Sequence, residues 1–334
     1  MDARSRRRPS LLRKLLIGTL SVLVLIAIAP VAVIAFEAPT PPPPMASMAV
    51  RAKHADGPGV PAPRHFQARD GASLQYYAYP AEPGKVAVLV HGSAGPGSSM
   101  HALAEALRAA GVTTYMLDIR GHGGSGRRGD IDYIGQLDDD LADFVVQLGL
   151  ARSGASRTLV GFSAGAGFAV RFAGGPYGSL FDRYVFLSPI LPGAPTLRPS
   201  AGGWTNISVP RIVTIAWLDR LGIHWFDGLP VISYAVSPER LQSVTASYSY
   251  RLMMNFGAAG RYETYLKNIH RPAAVLVGGA DEQVVADRFA PLMQHLGVDI
   301  PVTIVPDMKH RDMIDAPEAL QVVVRTVSTV RAGE

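Results

Sequence analysis

Ser163 stands in the run Gly161-Phe162-Ser163-Ala164-Gly165, directly after the apolar stretch Leu159-Val160 and before a second stretch of small and apolar residues. A chain that passes sharply from a buried strand into a helix leaves no room for side chains beside the bend. Glycine meets that constraint, and the G-x-S-x-G spacing exposes the hydroxyl at the tip of the turn. An alcohol becomes a useful nucleophile only with a base in hydrogen-bond reach and a third group to orient that base. In parallel sheets such groups gather beyond the carboxyl ends of the strands. Two downstream residues occupy such positions: Asp281 after "AAVLVGGAD" and His310 after "PVTIVPDMKH". Glu282 is an alternative acid, although it reads as the opening of the following helix. His270 precedes a strand and His295 falls inside a helix, so neither is placed to act as the base. The competing reading of Ser163 is a helix cap on the segment beginning at Ala164.

Acyl transfer also needs donors for the developing oxyanion. The glycine-rich segment "LVHGSAGPG" (89–97) follows another apolar run and offers the backbone N–H of Ser93, with that of Ala164 as partner. A phosphate cradle is disfavoured, because neither the Walker spacing nor G-x-G-x-x-G is formed here. The histidines lack metal-ligand spacing and there are no cysteines, so no metal or cofactor is expected.

Continuous apolar strands and amphipathic helices alternate from residue 85 onward. "KVAVLVHG", "VTTYMLDIRG", "SRTLVGFS", "RYVFLSP", "AAVLVGGAD" and "PVTIVPD" read as strands, with helices between them. That rhythm predicts a mostly parallel central sheet covered by helices on both faces. Asp70-Gly71 predicts a hairpin before it. The acidic run Asp138-Asp139-Asp140 reads as the first turn of a helix. Residues from about 190 to 270 interrupt the rhythm after the sixth strand. They contain helical-looking stretches such as "PRIVTIAWLDRLG" and "SPERLQSVTASYSYRLMMNF", and predict a helical cap.

The set "HGSAG", "LDIRGHGGSG" with the following "RGDIDY", "GFSAG", "GGADEQVV" and "PDMKH" resembles the α/β-hydrolase superfamily, in its monoacylglycerol-lipase-like or serine-aminopeptidase-like branch. The likeness covers about residues 64 to 330, the cap only loosely. It implies the α/β-hydrolase fold, with Ser163 as nucleophile, Asp281 as acid, His310 as base, and Ser93 and Ala164 as oxyanion donors. His122, in "RGHGGSG", is implied to pack a loop rather than to react.

The formal charge of +5 resides wholly in residues 1 to 14, which hold six basic side chains against Asp2 alone, so the remainder is neutral and no nucleic-acid surface is implied. Leu15 to Phe36 is uncharged and long enough to span a bilayer. The expectation is therefore a basic cytoplasmic tail (1–14), a transmembrane anchor (15–36), a proline-rich linker (37–63) and a catalytic domain (64–334) beyond the membrane, with signal cleavage and secretion as the alternative. The function expected is a membrane-anchored serine hydrolase of small-molecule or lipid esters. Its rivals are a peptidase or amidase using the same three residues, and a tethered binding protein, which would require an incomplete site. No oligomeric state is indicated.

Overall fold

The computed structural model describes residues 11–45, 59–258 and 260–329. Eight strands form the central sheet: β1 (Arg64–Gln67), β2 (Ser73–Tyr79), β3 (Lys85–Val90), β4 (Thr113–Leu117), β5 (Ser156–Phe162), β6 (Arg183–Leu187), β10 (Ala273–Gly278) and β11 (Val302–Val305). Their order is β1-β2-β4-β3-β5-β6-β10-β11. The β1–β2 and β2–β4 pairs are antiparallel and all later pairs are parallel. Gly71, at φ +83°, closes the hairpin that Asp70-Gly71 predicts, and the Ala68 N–H donates to Ala72 O across it at 2.8 Å.

Alternation along the strands explains why they read as unbroken apolar runs. Val86, Val88, Val90, Leu159, Phe186 and Val275 belong to the core on one face. Ala87, Leu89, Val160, Val185 and Leu276 belong to the core on the other. A strand buried on both sides reads as a near-continuous apolar run. The first face is covered by α3 (Gln136–Gln147), α4 (Ala164–Ala173) and α7 (Phe289–Leu296), the second by α2 (His101–Ala109) and α8 (Pro317–Thr329). The three aspartates at the start of α3 do more than face the helix dipole. Asp138 pairs with Arg171 at 3.0 Å, Asp139 with Arg69 at 2.9 Å, and Asp140 with the buried Arg120 at 2.7 Å.

The interruption carries more strand than its sequence suggests. Three short strands, β7 (Thr205–Ile207), β8 (Pro230–Tyr234) and β9 (Ser247–Ser249), form a separate antiparallel sheet. Within "SPERLQSVTASYSYRLMMNF" only α6 (Tyr250–Asn255) is α-helical. Ser249 ends the strand and accepts from the Leu252 N–H at 3.1 Å, capping that helix.

The described residues divide into two compact units, one holding 11–38 with 208–226 and the other holding the remaining described residues. In the first, α1 (Leu11–Phe36) packs on α5 (Val209–Arg220). Among the described residues no helix is long and apolar enough to cross a membrane. This corrects the transmembrane expectation for 15–36, and with it the single-pass placement and the membrane as a partner through that helix. A spanning helix presents its apolar surface to lipid along its length, whereas the end of α1 is committed to protein. Ile34 is buried, and its carbonyl accepts from Arg211 Nη2 at 2.6 Å. Apolar composition alone does not tell a lipid neighbour from a protein one. Pro30 also interrupts the backbone ladder of the helix. Most of the basic tail, residues 1–10, lies outside the described residues, as does 46–58 of the linker.

In the second unit the proline-rich stretch lies along the cap sheet. Asn206 Nδ2 donates to Thr40 O at 2.8 Å and Ser233 Oγ to Pro39 O at 3.0 Å. The Met45 N–H reaches Ala235 O at 3.4 Å.

Candidate active site

Ser163 sits at φ 57° and ψ −120°, a backbone region that L-residues seldom occupy. Its environment enforces the bend: the Ser163 N–H donates to Leu187 O at 2.9 Å, and its carbonyl accepts from Ile190 N–H at 3.1 Å. Although Ser163 occupies the N-cap position of α4, its hydroxyl makes no capping bond. It meets His310 Nε2 at 2.8 Å. His310 Nδ1 lies 2.8 Å from Asp281 Oδ2 and 3.0 Å from Oδ1. The structure thus brings Ser163, His310 and Asp281 into one chain of hydrogen bonds at the carboxyl edge of the sheet, with each residue at least 97% buried.

The chemistry of the partners fixes the protons. A carboxylate only accepts, so Nδ1 of His310 carries the hydrogen and Nε2 presents its lone pair to the serine hydroxyl. Burial pushes the Asp281 carboxyl up, but the His310 imidazole and the hydrogen bonds it receives outweigh that and hold it below its ordinary value. Gln283 and Val284 N–H donate to its Oδ1 at 2.8 and 3.1 Å. These bonds keep 281–285 as a loop, so the following α-helix begins only at Phe289. Glu282 therefore does not open it. Glu282 Oε2 instead accepts from the His310 N–H at 3.0 Å, and the Phe162 ring lies 5.0 Å from the imidazole. His270 and His295 are exposed, with no place in the chain of hydrogen bonds.

Ser93 and Ala164, the expected donors, flank the nucleophile. A Cβ built on Gly92 would lie 3.0 Å from Ser163 Cβ, so the Ser93 loop runs against the serine. Among the described residues neither the Ser93 nor the Ala164 N–H has an acceptor. Beside them a pocket is walled by Phe162, Trp204, Val244, Arg240, Arg311 and Met45, and among the described residues that line it there is no carboxylate. Met45 and Trp204 had no signal in the sequence. The first comes from a proline-rich stretch read as a spacer, the second from a cap whose apolar residues read equally well as its own core.

A family profile described as serine aminopeptidase, S33, matches residues 81–316. Among solved structures, the monoacylglycerol lipase of Paleococcus ferrophilus is 23% identical with a TM-score of 0.58, over 76% of this chain and 98% of that one. A soluble variant of the monoglyceride lipase of Saccharomyces cerevisiae is 18% identical with a TM-score of 0.60, over 80% and 93%. A thermophilic esterase from Thermogutta terrifontis is 18% identical with a TM-score of 0.53, over 80% and 100%. These likenesses support the α/β-hydrolase fold. No curated protein matches the sequence.

Proposed function

The chain belongs to the serine aminopeptidase S33 family of α/β hydrolases, and from that premise we propose that it is a serine hydrolase of carboxylic esters, acting through an acyl-enzyme on Ser163. The observation that carries this reading is the imidazole of His310 bridging the Ser163 hydroxyl and the Asp281 carboxylate. In the first step Ser163 Oγ bonds to the ester carbonyl carbon while its proton passes to His310 Nε2. Asp281 stabilises the imidazolium, and the Ser93 and Ala164 N–H groups hold the oxyanion. Collapse of the tetrahedral intermediate breaks the carbon–alkoxy bond, and His310 returns the proton to the departing alcohol. Water then attacks the acyl-serine with His310 as base, and the carboxylic acid leaves.

The family description favours an aminopeptidase as the second reading. An aminopeptidase must hold a cationic amino terminus, for which a carboxylate is the natural partner. Among the described residues that line the pocket there is no carboxylate to take that role, so esters are the substrates proposed. The apolar wall from Phe162, Val244 and Met45 suits an acyl chain, as in a lipid or monoacylglycerol-like ester.

Labelling by a fluorophosphonate probe tests the nucleophile. Wild type is expected to take up the probe stoichiometrically and Ser163→Ala none, and equal uptake by the two overturns the reading. Acyl esters of increasing chain length, run beside aminoacyl amides, test the substrate class, and faster cleavage of the amides reverses the assignment. Met45→Ala removes one wall of the pocket. It is expected to shift the kcat/KM ratio of long to short acyl esters by about tenfold, the lower end of what one methylene is worth in an apolar pocket. An unchanged chain-length profile would remove Met45 from the acyl pocket.

A further inference from the structure

We infer that the cap acts as a clamp on the oxyanion loop, with Tyr248 as its positioning residue. The inference rests on the serine-hydrolase reading above. Residues 92–94 are held by hydrogen bonds at both carbonyl and side-chain atoms. Gly92 O accepts from His91 Nδ1 at 2.7 Å, which fixes the plane of the Gly92–Ser93 peptide and aims the Ser93 N–H the opposite way. Ser93 Oγ accepts from Trp204 Nε1 at 2.9 Å. The Ala94 N–H donates to the Tyr248 hydroxyl at 2.8 Å, and Ala94 O accepts from the Thr245 N–H at 2.8 Å. Trp204, Thr245 and Tyr248 are all cap residues. Among the described residues the Ser93 N–H, the proposed oxyanion donor, has no acceptor.

The loop would not hold this shape unaided. Ala94 sits at φ 65°, in the left-handed region that strains an L-residue. The bonds that offset the strain come from the cap, and they hold the Ser93 hydroxyl and both the N–H and the carbonyl of Ala94.

Tyr248 is in turn anchored to the core. Its hydroxyl lies 2.7 Å from His122 Nε2, and His122 Nδ1 lies 3.4 Å from Arg120 O. A carbonyl only accepts, so His122 carries its hydrogen on Nδ1 and receives the Tyr248 proton at Nε2. The relay therefore runs from the Ala94 N–H to Tyr248, to His122, to the Arg120 carbonyl, every donor pointing one way. Burial and the neighbouring His91 push the His122 imidazole well down, which keeps it the neutral acceptor this order needs. The "RGHG" loop thus has a task beyond packing: it supplies the fixed end of the clamp.

Tyr248→Phe keeps the ring and removes the acceptor from Ala94. The expected result is a fall in kcat of about 10- to 100-fold with KM within about twofold, since misplacing an oxyanion donor costs less than deleting it. The diagnostic readout is the ratio of rates on an ester and its thionoester. Sulfur accepts hydrogen bonds poorly and gains little from the oxyanion donors, so the ester's advantage should shrink in Tyr248→Phe. Trp204→Phe removes the other side-chain bond from the cap and should move the ratio the same way, and it is the deciding arm if Tyr248→Phe fails to fold. A loss of activity with the ratio unchanged makes the role merely structural and overturns the inference, as does unchanged kcat. If Ser163→Ala hydrolyses as fast as wild type, the serine-hydrolase reading itself fails and takes the clamp with it.

Discussion

Ester turnover is expected to fall by about 10⁴-fold or more in His310→Ala, the scale on which the base of a serine nucleophile acts. That is about 5.5 kcal/mol of barrier, and it follows from the absence of a substitute. Without Nε2, nothing else hydrogen-bonds the Ser163 hydroxyl among the described residues, and His270 and His295 are solvent-exposed. Asp281→Asn should lose about as much by another route: an amide can donate to Nδ1, which favours the tautomer whose Nε2 carries a hydrogen and cannot accept from serine. The two losses should not add, because the three residues act as a unit. His310→Ala also strips Asp281 of its buried partner, although the Gln283 and Val284 N–H groups remain on Oδ1. Rates must therefore be taken well below the unfolding midpoint of each variant. Residual turnover within tenfold of wild type in His310→Ala would exclude it as the base.

The parts of the site that could be read from sequence are those where backbone geometry restricts residue type. Ser163 was legible because its bend admits only glycine at 161 and 165, and Asp281 and His310 because each ends an apolar run long enough to be a strand. The central sheet was legible because strands buried on both faces read as near-continuous apolar runs, even with Thr114 and Thr158 buried among them. The cap resisted reading because β7, β8 and β9 are three to five residues long, too short to establish a period. Tyr248 stands in "SYSY", where nothing distinguishes a tyrosine that receives a loop N–H from one that only packs. The delayed start of α7 turns on the side chain of Asp281 binding the N–H groups of 283 and 284, a tertiary arrangement that helix propensity does not include. For α1 the failure was one of context: Ile34 reads as lipid-facing until α5 is known to lie against it.

Gly165→Ala is expected to destabilise the fold by about 3 kcal/mol or more, at or beyond the upper end for overpacking. A Cβ built there would lie 2.3 Å from His91 O and 2.5 Å from Val90 O. Both are backbone carbonyls at the end of β3, a strand hydrogen-bonded on both sides by β4 and β5, so neither can yield as the tip of a side chain would. The only relief is to lift α4 away from the sheet, and α4 begins one residue after the nucleophile. His91 is the residue whose Nδ1 fixes the Gly92 carbonyl, so the displaced backbone is also the stem of the oxyanion loop. Stability and catalysis should therefore fall together, kcat dropping even at temperatures where the variant is fully folded. Gly161→Ala should behave alike, since its Cβ would lie 2.3 Å from Gly165 O on the other side of the same crossing. Gly257→Ala is the control, with no atom within 4 Å of the added methyl and an expected change within about 0.5 kcal/mol. Denaturant unfolding of the three variants measures the difference. Equal midpoints would mean that the strand and helix do not cross at the glycines, and the bend that presents Ser163 would need another explanation.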